Sequence, residues 1–146
     1  MDRLSPERRS WLMSKVASKN TTAEIRVRRA AHALGLRFRL HRRELPGTPD
    51  LIFPRYQIAL FVHGCFWHRH TGCRKATTPK THVKFWHEKF DRNIKRDHAN
   101  MLRLKQLGWH PKIIWECETQ NPEFLCKTLS NMFHIRKNAQ PNKSTK

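Results

Sequence analysis

The sequence predicts an α/β fold, a central β-sheet with helices on both faces. Three observations carry the prediction. Two apolar runs of strand length, Leu51-Ile52-Phe53 and Ile58-Ala59-Leu60-Phe61-Val62, lie either side of Pro54-Arg55. A third run, Trp109 through Trp115 with Ile113 and Ile114 buried, comes much later. Segments with helical start and stop signals stand before, between and after these runs, and helices interleaved with strands pack as layers on a sheet.

Ser5-Pro6-Glu7 starts a first helix, with Ser5 as N-cap and Pro6 at the first helical position. Trp11, Leu12, Met13 and Val16 give it one apolar face, and Ser18-Lys19-Asn20 breaks it. Thr21-Thr22-Ala23-Glu24 has capping-box spacing. That second helix runs to about Leu34, with Gly35 placed to end it. Pro46-Gly47-Thr48-Pro49 is a turn, and Asp50 begins the strand that follows. A long helix is predicted from about Thr81 to about Leu107, with Gly108 as its stop, and Asn121-Pro122 opens a last helix through about Phe133. With 146 residues there is room for one core. The reading is a single domain over residues 1–135 and a basic tail over 136–146, expected to be disordered.

Lys and Arg number 30 against 11 Asp and Glu, a formal charge of +19. The first 43 residues alone hold 12 basic and 3 acidic side chains. So large an excess points to a polyanionic partner, most simply nucleic acid. The apolar runs are too short to span a bilayer, and MDRLSPERRS lacks the apolar stretch of a signal peptide. A soluble, cytoplasmic protein is expected.

The segment VHGCFWHRHTGC, residues 62–73, combines cysteine, histidine and large aromatic residues. Cys65, His70 and Cys73 have Cys-x4-His-x2-Cys spacing, and Cys117 lies at the end of the late strand, where a shared sheet would bring it beside Cys65. Three thiolates and an imidazole suit structural zinc. Cys126 competes with Cys117 on count alone, but it has helical spacing with Phe124, Leu125 and Leu129 and reads as core. A clip across Cys65 and Cys73 would hold Phe66-Trp67-His68 in a fixed, solvent-facing loop. Such a closed set leaves no open metal position, so any chemistry must come from other residues.

Carboxylates are scarce, which makes each placed one informative. Asp50 could hold Mg2+, a hard cation that prefers oxygen and polarises a phosphodiester. His63 ends the neighbouring strand and His68 follows it, and an imidazole can take a proton from attacking water near neutral pH. The plain alternatives are a turn cap for Asp50, structural imidazoles or a fourth zinc ligand for His63 and His68, the capping box for Glu24, and a surface salt bridge for Asp97.

Pro49-Asp50, Phe61-Val62-His63-Gly64-Cys65-Phe66-Trp67-His68, Phe85-Trp86 with Asn93 and Arg96-Asp97, Leu107-Gly108-Trp109 and Trp115-Glu116-Cys117 closely resemble the very-short-patch repair (Vsr) DNA mismatch endonucleases. The match runs from about Ser14 to Cys117 and keeps motif order and spacing. The resemblance implies a restriction-endonuclease-like fold, a central mixed β-sheet flanked by helices with a structural zinc site. It implies nicking of one strand 5′ of the thymine in a T·G mismatch, a product of 5-methylcytosine deamination. By resemblance Asp50 binds Mg2+ together with the backbone carbonyl of Val62, where relatives often carry Thr. His68 looks like the general base and Asp97 its orienting partner. By the same resemblance His63 looks like the residue that assists at the scissile phosphate, and Glu24 like a carboxylate acting through metal-bound water. The two histidines stand in for the acidic-x-Lys element usual in this fold. Phe66, Trp67 and Trp86 match aromatics that wedge into the duplex, and Met13 and Val16 match contacts in the opposite groove. A T·G pair stacks poorly, so aromatic insertion there opposes a smaller unstacking cost. Arg69 stands where relatives often have another His, and the His70-to-Cys73 spacing is one residue longer than in some relatives.

The resemblance further implies a monomer in a bacterial cytoplasm, acting on double-stranded DNA with MutL- and MutS-type repair proteins and a DNA polymerase. Two rival readings stand beside the Mg2+-dependent, zinc-braced nicking enzyme. One is a zinc-stabilised DNA-binding module without catalysis, for which charge and aromatics suffice. The other is a restriction-type nuclease that does not require a mismatch.

Overall fold

The computed structural model describes residues 21–133. The expected first helix with Met13 and Val16, and the tail over 136–146, lie outside the described residues.

The elements, in chain order, are α1 (Thr22–Ala33), β1 (Arg39–Leu40), β2 (Leu51–Phe53), β3 (Ile58–His63), α2 (Val83–Gln106), β4 (His110–Trp115) and α3 (Pro122–Met132). Local chemistry fixes the ends of the helices. Thr21 Oγ1 accepts from the Glu24 amide at 3.1 Å and caps α1. Asn121 Oδ1 does the same for α3, accepting from the Glu123 and Phe124 amides at 3.0 and 3.2 Å. Gly35 and Gly108 take left-handed φ values of 77° and 90° just past α1 and α2, a conformation glycine adopts without a Cβ clash. The long helix begins at Val83, two residues later than expected, because His82 itself is left-handed at φ 54°.

The sheet order is β1-β2-β3-β4. The pairs β1/β2 and β2/β3 are antiparallel and β3/β4 is parallel, so the sheet is mixed. A 3-10 turn, Pro54–Tyr56, makes the short connection between β2 and β3. Side chains alternate across the sheet as strand geometry requires. Leu51, Phe53, Ile58, Leu60 and Ile114 face one way and pack with Val27 and Ala31 of α1 and Leu125 and Leu129 of α3. Ile52, Ala59 and Phe61 face the other way and pack with Leu104 of α2, with Ile113 against them. Helices therefore cover both faces. The expectation for Cys126 needs correcting: Leu125 and Leu129 are buried, but Phe124 is 49% exposed and Cys126 half-buried, because α3 turns that side away from the sheet.

Register decides where function can sit. His63 pairs with Trp115 in the parallel β3/β4 ladder, so Cys65 and Cys117 each follow two residues beyond a shared rung. On the other side of β3, the Asp50 amide donates to the Leu60 carbonyl at 2.9 Å and leads into β2. One end of the sheet thus gathers Asp50, His63, Cys65 and Cys117.

Candidate active site and metal centre

A cleft of about 1020 Å³ opens at this end of the sheet. Glu24, Asp50, Val62, His63, His68 and Asp97 all line it, with Phe66 and Trp67 along one wall. The expected catalytic residues from α1, β2, β3, the following loop and α2 therefore converge.

Asp50 stands immediately before β2. Its Oδ2 accepts from the Val62 amide at 2.7 Å. Burial, with the Glu24 charge nearby, pushes its carboxyl up to about 7, against the pull of the Val62 hydrogen bond. Glu24 is itself 3% exposed. Its carboxylate meets Arg28 at 3.2 Å and His41 at 3.6 Å. Ligand atoms of Glu24, His41 and Asp50 lie within 4.8 Å of one another. Two buried carboxylates crowded together, with Arg28 meeting only the Glu24 side in the contacts above, offer the hard oxygen donors that suit a dication.

The base candidate sits across the cleft. His68 Nδ1 and Asp97 Oδ2 are 2.6 Å apart. That bond commits Nδ1 to the carboxylate and leaves Nε2 as the ring's other reactive atom. Burial would raise Asp97, yet the His68 hydrogen bond and charge outweigh it and hold the carboxyl below its usual range. His63 stacks on His68, ring centroids 3.7 Å apart and planes within 7°. Burial, then the neighbouring His68 charge, pushes His63 down to about 3, so it is a neutral imidazole near pH 7. Its buried Nδ1 has no hydrogen-bond partner.

Below the cleft, Cys65, His70, Cys73 and Cys117 bring their ligand atoms within 4.8 Å of one another. His70 Nδ1 lies 3.7 Å from Cys65 Sγ and 3.4 Å from Cys117 Sγ. A tetrahedral ion with thiolate and imidazole ligands gives an S-to-N edge of about 3.6 Å. The set fits such an ion. Burial pushes the Cys65 and Cys117 thiols up, while the Lys75 backbone helps bring Cys73 down to about 7. Cys117 rather than Cys126 completes the set, as the parallel register requires.

The aromatic loop rests on α2. Phe66 meets Trp67, Trp86 and Phe90 edge-on at 5.1 to 5.8 Å. Phe66 and Trp67 are half-buried and line the cleft. Trp86 departs from the expected trio of DNA-inserting rings: it is 1% exposed, because Trp86, Phe90 and Asn93 form the inward stripe of α2. In this structure it is the bed on which the other two rest. Asn93 Nδ2 donates to the Trp67 carbonyl at 3.2 Å, and Arg96 donates to Asn93 Oδ1 at 3.0 Å. Arg43, Lys89 and Arg96 add positive charge to the cleft lining.

Sequence reasoning missed His41 and the use made of Arg69. His41 approaches Asp50 only through the β1/β2 pairing, its amide donating to the Asp50 carbonyl at 3.3 Å, and β1 is two exposed residues with no apolar pattern to announce it. Arg69 carried a signal, a lone arginine among histidines, without a visible partner.

A family model described as DNA mismatch endonuclease Vsr matches residues 1–75 of this chain. The type II nicking enzyme V.XorIIP of Xanthomonas oryzae pv. oryzae is 48% identical over 131 residues, covering 90% of this chain and 96% of its own. V.NmeAIP of Neisseria meningitidis, also a type II nicking enzyme, is 34% identical over 138 residues, covering 94% of this chain and 98% of its own. The DNA mismatch endonuclease Vsr of Escherichia coli is 39% identical over 117 residues, 80% of this chain and 74% of its own.

Proposed function

The chain belongs to the Vsr family of DNA mismatch endonucleases, and from that premise we propose that it nicks one strand of duplex DNA on the 5′ side of the thymine in a T·G mismatch. The observation that carries the reading is one cleft holding Asp50, the His68–Asp97 pair and the half-exposed Phe66 and Trp67. A passive binder gains nothing from a buried carboxylate pair facing phosphate.

Asp50, with Glu24 beside it and the Val62 backbone adjoining, would hold Mg2+. Bound there, Mg2+ supplies Lewis-acid stabilisation of the developing charge on the phosphate. His68 takes the proton of the attacking water at Nε2. Asp97 holds the ring in that tautomer and stabilises its charged form. His63, neutral and stacked on His68, offers shape and a polar edge at the phosphate without competing for the proton. Phe66 and Trp67 insert at the mismatch, over Trp86. Cys65, His70, Cys73 and Cys117 would hold zinc, which braces the loop and has no open position for chemistry. The mixed sheet with helices on both faces is compatible with a restriction-endonuclease-like fold. DNA with a T·G mismatch is the substrate in this reading. MutL- and MutS-type proteins and a polymerase would act around it in a bacterial cytoplasm. Among the described residues no helix is long and apolar enough to cross a membrane.

The test is binding and single-turnover nicking on T·G and T·A duplexes with Mg2+, for the wild type and three variants. Asp50→Ala and His68→Ala should lose nicking by about a hundredfold or more yet still prefer T·G in binding. Trp67→Ala should keep its chemistry but lose stacking worth about 1–3 kcal/mol, so its preference should shrink roughly tenfold. Normal nicking by Asp50→Ala would place the active site elsewhere. Equal wild-type nicking of both duplexes would favour the restriction-type reading, and no nicking of either would favour a binding module.

A further inference from the structure

Arg69 lies in sequence between the metal-set residues Cys65 and Cys73, and its guanidinium, a donor only, offers a metal no ligand atom. Its guanidinium makes four hydrogen bonds. One terminal nitrogen donates to the Phe66 carbonyl at 3.2 Å and the Thr77 carbonyl at 3.0 Å. The other donates to the Ala76 carbonyl at 3.0 Å and Thr78 Oγ1 at 3.1 Å. Its Cζ also sits 4.0 Å from the centre of the Phe90 ring and 5.6 Å from that of Phe66. One planar fork therefore ties the aromatic loop, the 76–78 segment and α2 together. A lysine, with a point charge and no planar fork, cannot reproduce that set.

The partner to this arrangement is Asn93, which holds the Trp67 carbonyl from α2. Two adjacent aromatics thus have their backbone carbonyls held by two different side chains, Phe66 by Arg69 and Trp67 by Asn93. Phe66 in turn meets Phe90 edge-on at 5.2 Å, and Arg69 lies over that same Phe90 ring. Arg69 thus touches both the backbone of Phe66 and Phe90, one of the rings against which Phe66 packs.

We propose that Arg69 is a specificity-determining positioning residue, which presents Phe66 and Trp67 as one rigid edge for insertion at a mismatch. The proposal rests on the mismatch reading above. Its physical basis is preorganisation: ordering a loose edge costs free energy only in a complex that inserts it. A T·G duplex admits the rings. A matched duplex is held mainly through its phosphates and leaves them outside. Loosening the edge should therefore weaken one complex and spare the other.

The experiment compares the wild type with Arg69→Lys and Arg69→Met. It measures dissociation constants for T·G and T·A duplexes, single-turnover nicking at saturating enzyme, bound metal, thermal unfolding, and the fluorescence of 2-aminopurine placed beside the mismatch, which rises on unstacking. The expected result is about tenfold weaker T·G binding, with T·A binding changed by less than about twofold. Saturated nicking should stay within about threefold, since the base and carboxylates are untouched. The 2-aminopurine signal at equal occupancy should fall, metal content should not change, and lysine should not restore the wild-type preference. Equal weakening on both duplexes would make Arg69 a phosphate contact and overturn the proposal. Loss of metal or of the folded state in both variants would make it a general structural residue and overturn it too. Wild-type discrimination with unaffected variants sinks only the role of Arg69. A wild type without discrimination sinks the mismatch reading and this proposal with it.

Discussion

Asp50 is asked to be charged where charge is expensive. Burial first, and the neighbouring Glu24 carboxylate, push it up to about 7, whereas in an unfolded chain it titrates at about 4. In the metal-free protein the folded form therefore keeps a proton that the unfolded form has released between about pH 4 and pH 7. Stability from this group falls as pH rises through that window, and above it the folded state bears the whole cost. Asp50→Asn keeps an oxygen able to accept the Val62 amide hydrogen bond and removes the charge. The metal-free variant should be more stable than the wild type by about 1–3 kcal/mol at pH 8, with the gain gone near pH 4. Nicking should nevertheless fall by at least about a hundredfold, because an amide is a poor Mg2+ ligand. Urea unfolding in EDTA at both pH values, beside a nicking assay in Mg2+, checks both halves. A variant less stable than the wild type at pH 8 would show that Asp50 is held by attraction rather than strained by burial. A residue that destabilises the fold it belongs to is expected of a site kept for function.

At the scale of elements, the parallel pairing of β3 and β4 does the positioning. It sets Cys65 beside Cys117, and the Cys65–Cys73 segment then returns over the cleft carrying His68 and the aromatics. The metal set and the aromatic loop are therefore one mechanical unit. Cys117→Ser should lose about one metal ion per chain, unfold at lower temperature and bind T·G with reduced preference, since the loop loses its anchor to β4. Metal analysis with thermal unfolding tests this. Loss of the ion at unchanged unfolding temperature would contradict a bracing role. Much of this unit was legible in the sequence because its signals are local: cysteine and histidine spacing and apolar runs of strand length. What the sequence could not expose is pairing between distant segments. The two-residue β1 has no pattern, so the approach of His41 to Asp50 stayed hidden. Trp86 was assigned to the inserting aromatics by resemblance alone. Only the packing of α2 under the loop decides that it points inward. Arg69 was visible as an oddity, but its four acceptors come from backbone and side-chain positions that only the folded loop assembles.

At the scale of the whole molecule, a charge of +19 on 146 residues and an aromatic edge a few residues long must divide the work of binding. The charge meets any duplex, because every phosphate looks alike to a lysine or arginine. Exposed Arg26, Arg29, Arg37 and Arg39 extend this surface beyond the cleft. In the proposed reading the edge acts only where a base pair yields to it. These contributions respond differently to salt. Release of counterions makes affinity fall with a slope set by the number of phosphates contacted, and six to ten contacts correspond to about 10³–10⁵ in affinity between 50 and 200 mM salt. Stacking of Phe66 and Trp67 involves no net charge and should scarcely change over that range. The affinity for T·G and T·A duplexes should therefore fall together by about a thousandfold, while their ratio stays within about threefold. Titrations of both duplexes at several salt concentrations, with Mg2+ omitted to prevent nicking, measure slope and ratio at once. A shallow slope would leave the basic surface without a role. A ratio that collapses with salt would mean that the mismatch is recognised by charge, through a difference in backbone shape, and that Phe66 and Trp67 do not insert.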